Sequence, residues 1–347
     1  MSYKQSKVSI KDIAQELGIS TTTISFVING KAKNRISEEV IERVENYIEK
    51  VDYRPNLSAQ SLRTGRSKTI LYMAEDISDP FFSTIAKEME ELAFKNGYKI
   101  IYCSTENNKE RALELLSFFK EKQIDAFIIT PPENFEEEIK DLISENHKVI
   151  LFDRYYDSFK HNYVVLDNYE SSRKSVEHLL DEGFENIAFV GLDFNLSVIK
   201  ERKRGYSDTV QKHGYKEHVL LLKFNKVKTD AGREKMEKFI NSNSEIDAIL
   251  FATNSLAIAG ISMLKNKGIK IPDDIGVVSF DDRELFEHHT PTITVLSQPV
   301  TQLANELIIR TLNLLDTKKE NPEEFQISLE GNLKKRESSL KAEKPAI

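Results

Sequence analysis

Near the amino end, Ile10, Ile13, Ala14 and Leu17 fall at i, i+3, i+4 and i+7, the period of an amphipathic helix. Ser9 in front of them and Asp12 three positions on form a capping box, and Gly18 can take the left-handed conformation that ends the helix. Ser20 can cap a second helix only a few residues later, so the two helices meet at a tight turn. In the second, Ile24, Val27 and Ile28 make the inner stripe, leaving Thr22, Ser25, Phe26 and Asn29 on the outer face. A third helix is predicted from Ser37, with Glu38 and Glu39 at its positive end and Val40, Val44, Tyr47, Ile48 and Val51 packing inward. The order is that of a helix-turn-helix, although a small bundle with no nucleic-acid role would show the same spacing.

From Thr69 the period changes. Short apolar runs (TILYMAE, YKIIYCS, AFIITP, KVILFD, YVVLD) alternate with amphipathic stretches, and they read as buried parallel strands. Phe82, Ile85, Ala86, Met89, Leu92 and Ala93 trace one helix face; Ala112, Leu115, Leu116 and Phe119 trace another. The pattern then restarts with NIAFVG, VLLLKF, AILFAT and IGVVSFD, followed by ITVLSQ and a helix near Thr301–Leu315. Two successive βα series predict two doubly wound lobes.

A length of 347 residues allows about two domains and a smaller third piece. Hydrophobic residues at 39% and charged residues at 30% exclude a disordered polyelectrolyte. No run approaches the ~18 apolar residues of a membrane span, and MSYKQSKVSIKDI lacks the apolar core of a signal peptide, so a cytoplasmic protein without a membrane partner is expected. Cys103 is the single cysteine; no Cys/His pairs stand at ligand spacing, and neither metal nor cofactor is expected. Charge is uneven. Residues 1–68 hold 12 Lys and Arg against 8 Asp and Glu, whereas the rest holds 37 against 48, which suggests a nucleic-acid-binding head on an acidic body.

The chemistry of the outer face of helix two fits that suggestion. Short hydroxyl side chains at Thr21, Thr22, Thr23 and Ser25 allow close approach to base edges and phosphates, and Lys7, Lys31, Lys33 and Arg35 flank them. Phe26 could meet a thymine methyl in the major groove, or else fold back onto the third helix. In the body, ligands are expected beyond the carboxyl ends of the strands. Those ends carry Asp153 and Arg154, Asp167 and Asn168, Asn254, and Asp281 and Asp282. No GxGxxG follows the first strand, and there is no GxxxxGK[ST], GxSxG or HExxH, so an enzyme is not expected.

The runs VSIKDIAQELGISTTTISFVING, RISEEVIERV and DYRPNLSAQSLRTGRSKTI, with DPFFSTIAKEMEELAFKNGY, FDRYYD, HLLDEGFENIAFVG, RKRGY, GVVSFDDRELFEHHTPTITVLSQP and KKRESS in the body, resemble the LacI/GalR family of bacterial transcriptional regulators over nearly the whole chain. The resemblance implies a small all-α helix-turn-helix head (1–55), a hinge (56–68) and a two-lobed α/β body (69–347) like periplasmic sugar-binding proteins. It implies crossovers near Asp167, Thr290 and Phe325, giving a first lobe of about 69–166 and 291–325 and a second of about 167–290 and 326–340. Ser20, Thr21, Thr22, Thr23, Ser25, Phe26 and Asn29 would face DNA; Phe26 stands where the family most often has arginine. Asn56, Ala59, Leu62 and Arg63 would belong to a hinge helix in the minor groove, Leu62 as its wedge. Phe81, Phe82, Arg202, Phe251, Asn254 and Asp281 would surround an effector, with Asp153 contributing from its strand end; Asn254 stands where the family usually has aspartate. The function implied is a homodimeric repressor of carbohydrate uptake or catabolism genes. Its partners would be a pseudopalindromic double-stranded operator and a small sugar or sugar derivative. A nucleobase-responsive regulator of the same fold is the alternative, followed by a solute-binding protein without gene control.

Overall fold

The structure, a computed structural model, describes residues 8–53, 66–316 and 324–341. The expected hinge contacts at Asn56, Ala59, Leu62 and Arg63 lie outside the described residues. Contacts divide the chain into two compact units, Met1–Ser67 and Lys68–Ile347.

In the first unit, α1 (Ile10–Leu17), α2 (Thr21–Ile28) and α3 (Glu38–Lys50) follow the predicted order. The capping box forms in full: Asp12 N donates to Ser9 Oγ at 3.3 Å, and Ser9 N donates to the Asp12 carboxylate at 2.8 Å. Those bonds hold the Asp12 carboxyl below its ordinary pKa. Gly18 ends α1 at φ 64°, a left-handed conformation that costs glycine nothing. Ile13, Ile24, Val27, Ala32 and Val44 are buried, with Val40, Ile41, Tyr47 and Ile48 packed around them. Arg43 of α3 donates to the Leu17 carbonyl at 3.2 Å, satisfying one of the carbonyls that the end of α1 leaves open.

The second unit contains two six-stranded sheets, each with helices on both faces. The first lobe runs β1 (Thr69–Ala74), α4 (Pro80–Lys95), β2 (Lys99–Ser104), α5 (Lys109–Lys120), β3 (Ala126–Ile129), α6 (Glu136–Ser144), β4 (Val149–Phe152) and β5 (Tyr163–Leu166). The second runs α7 (Asn168–Asp181), β6 (Ile187–Leu192), α8 (Ser197–Lys212), β7 (His218–Leu222), α9 (Asp230–Ser242), β8 (Ala248–Phe251), α10 (Asn254–Asn266), β9 (Gly276–Phe280), α11 (Glu284–His288) and β10 (Thr294–Ser297). The chain then returns: α12 (Val300–Leu315) packs on α4, β11 (Gln326–Leu329) pairs in parallel with β5, and β12 (Asn332–Lys334) runs antiparallel to β10.

Two of the expected crossovers are corrected. The chain does not leave the second lobe at Thr290, because β10 pairs in parallel with β9 and buries Ile293 and Val295 in that lobe's core. It leaves at Gln298–Pro299, and Leu303, Ala304, Leu307 and Ile308 of α12 then join Phe82, Ile85 and Met89 in the first lobe's core. Nor does it leave the first lobe at Phe325, since β11 still belongs to that sheet. It crosses at Glu330–Gly331, where a Cβ on Gly331 would come within 2.8 Å of Ser171 Oγ and 2.9 Å of Leu296 Cδ2. The first crossing follows β5, where Asp167 caps α7 by accepting from Glu170 N at 2.9 Å.

Candidate functional site

On the head, α2 presents its amino end. Thr21 and Thr22 are exposed, whereas Ser20 is engaged as the cap, accepting from Thr23 N at 3.1 Å and sharing a hydroxyl bond with Thr23 at 2.8 Å. Asn29, also exposed, donates to the Ser25 carbonyl at 2.6 Å and closes the end of the helix. Phe26 is half-buried, and the Arg35 guanidinium lies 5.7 Å from its ring centroid. The fully buried core of the head is made without it, from Ile13, Ile24, Val27, Ala32 and Val44. Arg35 covers part of the ring as a cation–π partner while remaining a cation within reach of the same surface.

In the body, strand-terminal side chains of both lobes converge on one cleft. Asp153 after β4 and Asp281 after β9 both adopt φ 66°, a conformation uncommon outside glycine. The two lobes therefore turn their carboxylates by the same backbone device. Gln298 Nε2 donates to Asp281 Oδ1 at 2.7 Å, and Asn254 Nδ2 approaches Asp281 Oδ2 at 3.4 Å. Burial pushes the Asp153 carboxyl up to about 7; Arg202 opposes this, and the carboxylates of Asp281 and Asp79 reinforce it.

Arg202, on α8, is 3% exposed. It donates from Nε to Asn168 Oδ1 at 2.8 Å and from Nη1 to the Ala252 carbonyl at 2.6 Å, and its guanidinium lies 4.0 Å over the Phe280 ring. This fixes a planar cation with one amino edge to spare. Phe81, half-buried, stacks on Phe152 at 5.8 Å and 24°. On the first lobe's side, Arg154 is buried against Glu75, Asp153 Oδ2 at 3.1 Å and the Pro131 carbonyl at 3.1 Å, a network that braces Asp153.

Residues 9–56 match the family described as bacterial regulatory proteins, lacI family, and residues 176–339 match a periplasmic binding protein-like domain. The HTH-type transcriptional regulator RegA of Clostridium saccharobutylicum is 31% identical over 334 residues, covering 96% of this chain and 99% of that one. The chain belongs to the lacI family. As a member, it is a DNA-binding transcriptional regulator. A lac repressor dimer solved with operator and an anti-inducer shares its fold, with a TM-score of 0.83 at 20% identity, covering 96% of this chain and all of that one. The regulator CelR in complex with cellobiose shares the fold as well, with a TM-score of 0.71 at 20% identity over 95% of this chain and 99% of that one.

Against this lacI-family frame, two expected pocket residues are corrected. Phe251 is 1% exposed and its ring fills the layer between β8 and α10, directly over Gly260. Its side chain leaves the strand toward the helix rather than the cleft, because alternate residues of a strand face opposite sides. Phe82 is 7% exposed and belongs to the first lobe's core, edge-on to Phe152. Asp153, Arg202, Asn254 and Asp281 do come together. Asp79, Arg283 and Gln298 join them without having been singled out. Asp79 was visible in the sequence as a cap before Pro80; its Oδ1 accepts from Phe81 N at 2.9 Å, which leaves Oδ2 for the cleft. No helix among the described residues is long and apolar enough to cross a membrane.

Proposed function

We propose that this lacI-family member is a homodimeric repressor of genes for carbohydrate uptake or breakdown, with a small uncharged sugar as effector. The observation that carries the reading is the cleft itself: a fixed guanidinium, carboxylates from both lobes, a carboxamide and one open aromatic face. Carboxylates accept from hydroxyl groups, Arg202 donates to ring or hydroxyl oxygens, and Phe81 can cover C–H surface. A nucleobase would suit stacking on both Phe81 and Phe251, and Phe251 lies in the core. The CelR complex with cellobiose, of the same fold, supports the choice of a sugar.

Dimer formation is supported by the first lobe's edge strand β2. Ile101 and Tyr102 on it, Phe94 of α4 and Leu113 and Phe118 of α5 are exposed, an apolar set suited to a second copy. Two copies present two heads, so the operator has two equivalent half-sites. Thr21, Thr22, Ser25, Phe26 and Asn29 are the proposed reading surface, with Ser20 and Thr23 shaping the start of α2. Leu62, flanked by Asn56, Ala59 and Arg63, is the proposed minor-groove wedge. Sugar binding would alter the angle between lobes and thereby the population competent for DNA, with a coupling of ~1–3 kcal/mol.

The test is selection of sites from a random duplex library at ~150 mM salt, where specific and non-specific binding separate. A two-fold symmetric site is expected, and its affinity should then change on titration with a panel of neutral mono- and disaccharides. Enrichment without symmetry would overturn the dimeric reading; symmetry with no response to any neutral sugar would overturn the effector class.

A further inference from the structure

We propose that Arg283 is a latch between the lobes, holding the ligand-free cleft closed through Asp79 and Asn254. Arg283 lies just beyond Asp281 in the second lobe, at the cap of α11. Its Nη1 donates to Asp79 Oδ2 at 3.2 Å and approaches Asn254 Oδ1 at 3.5 Å, while Asn254 Nδ2 reaches the same Asp79 oxygen at 3.5 Å. Asp79 belongs to the first lobe and is fixed by its capping bond to α4. One carboxylate therefore anchors a helix of its own lobe and clasps a cation of the other. Two further contacts join the lobes: Tyr155 N donates to Ser197 Oγ at 3.0 Å, and Asn195 N donates to Glu133 Oε1 at 2.6 Å. Unlike these two and the Asn254–Asp79 approach, the Arg283–Asp79 contact joins full opposite charges.

Arg283 and Asp79 are each about one quarter exposed, at 25% and 24%, so dissolved salt reaches the pair. The clasp also holds Asp79 and Asn254, the groups a ligand hydroxyl would seek, so ligand binding and the latch compete for them. That consequence rests on the cleft being the effector site, whereas the latch itself does not.

The test is electron–electron double resonance on the full-length chain without ligand. Spin labels on cysteines introduced at exposed Lys87 and Lys265 report the distance between lobes, in a Cys103→Ser background diluted with excess unlabelled chain. Arg283→Ala and Asp79→Asn, which keeps the capping oxygen, should each raise the ratio of open to closed distances by about two- to fivefold, the range of partly exposed pairs. Raising salt from ~50 to ~500 mM should do the same to the parent and little to the variants. Arg283→Lys should fall between parent and alanine. Unchanged distributions in both variants would overturn the proposal, as would opening by Ser197→Ala alone. Calorimetric titration of the same samples with neutral sugars reads the effector proposal separately: an intact latch with no sugar binding would fail that reading and leave this one standing.

Discussion

Whether Phe251 belongs to the core or to the cleft can be decided by its neighbour. An ideal Cβ on Gly260 would stand 2.2 Å from Phe251 Cζ and 2.4 Å from Cε1, far inside contact distance. The ring is 1% exposed and shares its apolar cluster with Leu256, Ala257 and Leu264, so it has little room to shift. Forcing a methyl group into such a layer costs about 1–3 kcal/mol. Alanine regains about 1 kcal/mol over glycine in a helix interior, so Gly260→Ala should lose a net ~0–2 kcal/mol. Phe251→Leu alone should lose roughly 1–3 kcal/mol through the volume left behind. In the double variant the far ring atoms are gone while the helix gain remains, so it should be more stable than Phe251→Leu, with a favourable coupling above ~1 kcal/mol. Urea unfolding of the full chain, followed by far-ultraviolet circular dichroism, measures all four corners of the cycle. Gly260→Ala more stable than the parent, or strictly additive effects, would refute the packing argument and return Phe251 to the cleft.

Other expectations follow from the cleft and the head. The Asp153 carboxyl sits at about 7 in the folded chain, above its ordinary 3.8, chiefly because it is buried. Between those values the native state binds the extra proton, so its contribution to stability falls as pH rises from 4 to 7 and levels off above. Asp153→Asn should therefore gain on the parent in urea midpoint between pH 5 and pH 8; a constant difference would contradict the burial. Asp281→Ala should abolish the sugar response while leaving operator affinity within about threefold, since a coupling of ~1–3 kcal/mol acts only when ligand is bound; a full response in an operator-release assay would remove Asp281 from the site. Phe26→Arg should change the preferred base at one position of each half-site, and identical selected sites would show that Phe26 reads nothing.

Legibility followed the strength of local signals. The head was readable because its caps are chemical: Ser9 with Asp12, Gly18, and Ser20 each state a helix boundary in one or two residues. Strands β1, β3, β4, β8 and β9 were readable because both faces are buried, which writes them as unbroken apolar runs. By contrast β11 and β12, QISL and NLK, alternate exposed and half-buried positions at sheet edges and carry little apolar signal. With them went the true crossing points, since nothing in the composition of Gln298–Pro299 or Glu330–Gly331 separates a crossing from an ordinary turn. In the cleft, the residue types were visible but their directions were not. Phe251 and Asn254 are three positions apart, yet one faces the core and the other the opposite lobe, because the strand ends between them. Arg283 escaped notice because its partner, Asp79, is far away in sequence.

The three crossings also govern the order in which the chain can acquire its shape during synthesis. The head closes on contacts within residues 8–53 and can fold as soon as it clears the ribosome. The first lobe cannot, because the groove over α4 is filled by α12 and the edge at β5 by β11, both made after all of the second lobe but its last strand. At ~5–20 residues per second, the roughly 200 residues between α4 and α12 take about 10–40 s to emerge. Throughout that interval Phe82, Ile85 and Met89 lack the apolar cover that Leu303 and Leu307 later provide. A nascent chain thus carries a finished DNA-reading module attached to an unfinished, adhesive half-lobe, which makes chaperone supply and truncation far harsher on the control apparatus than on the head.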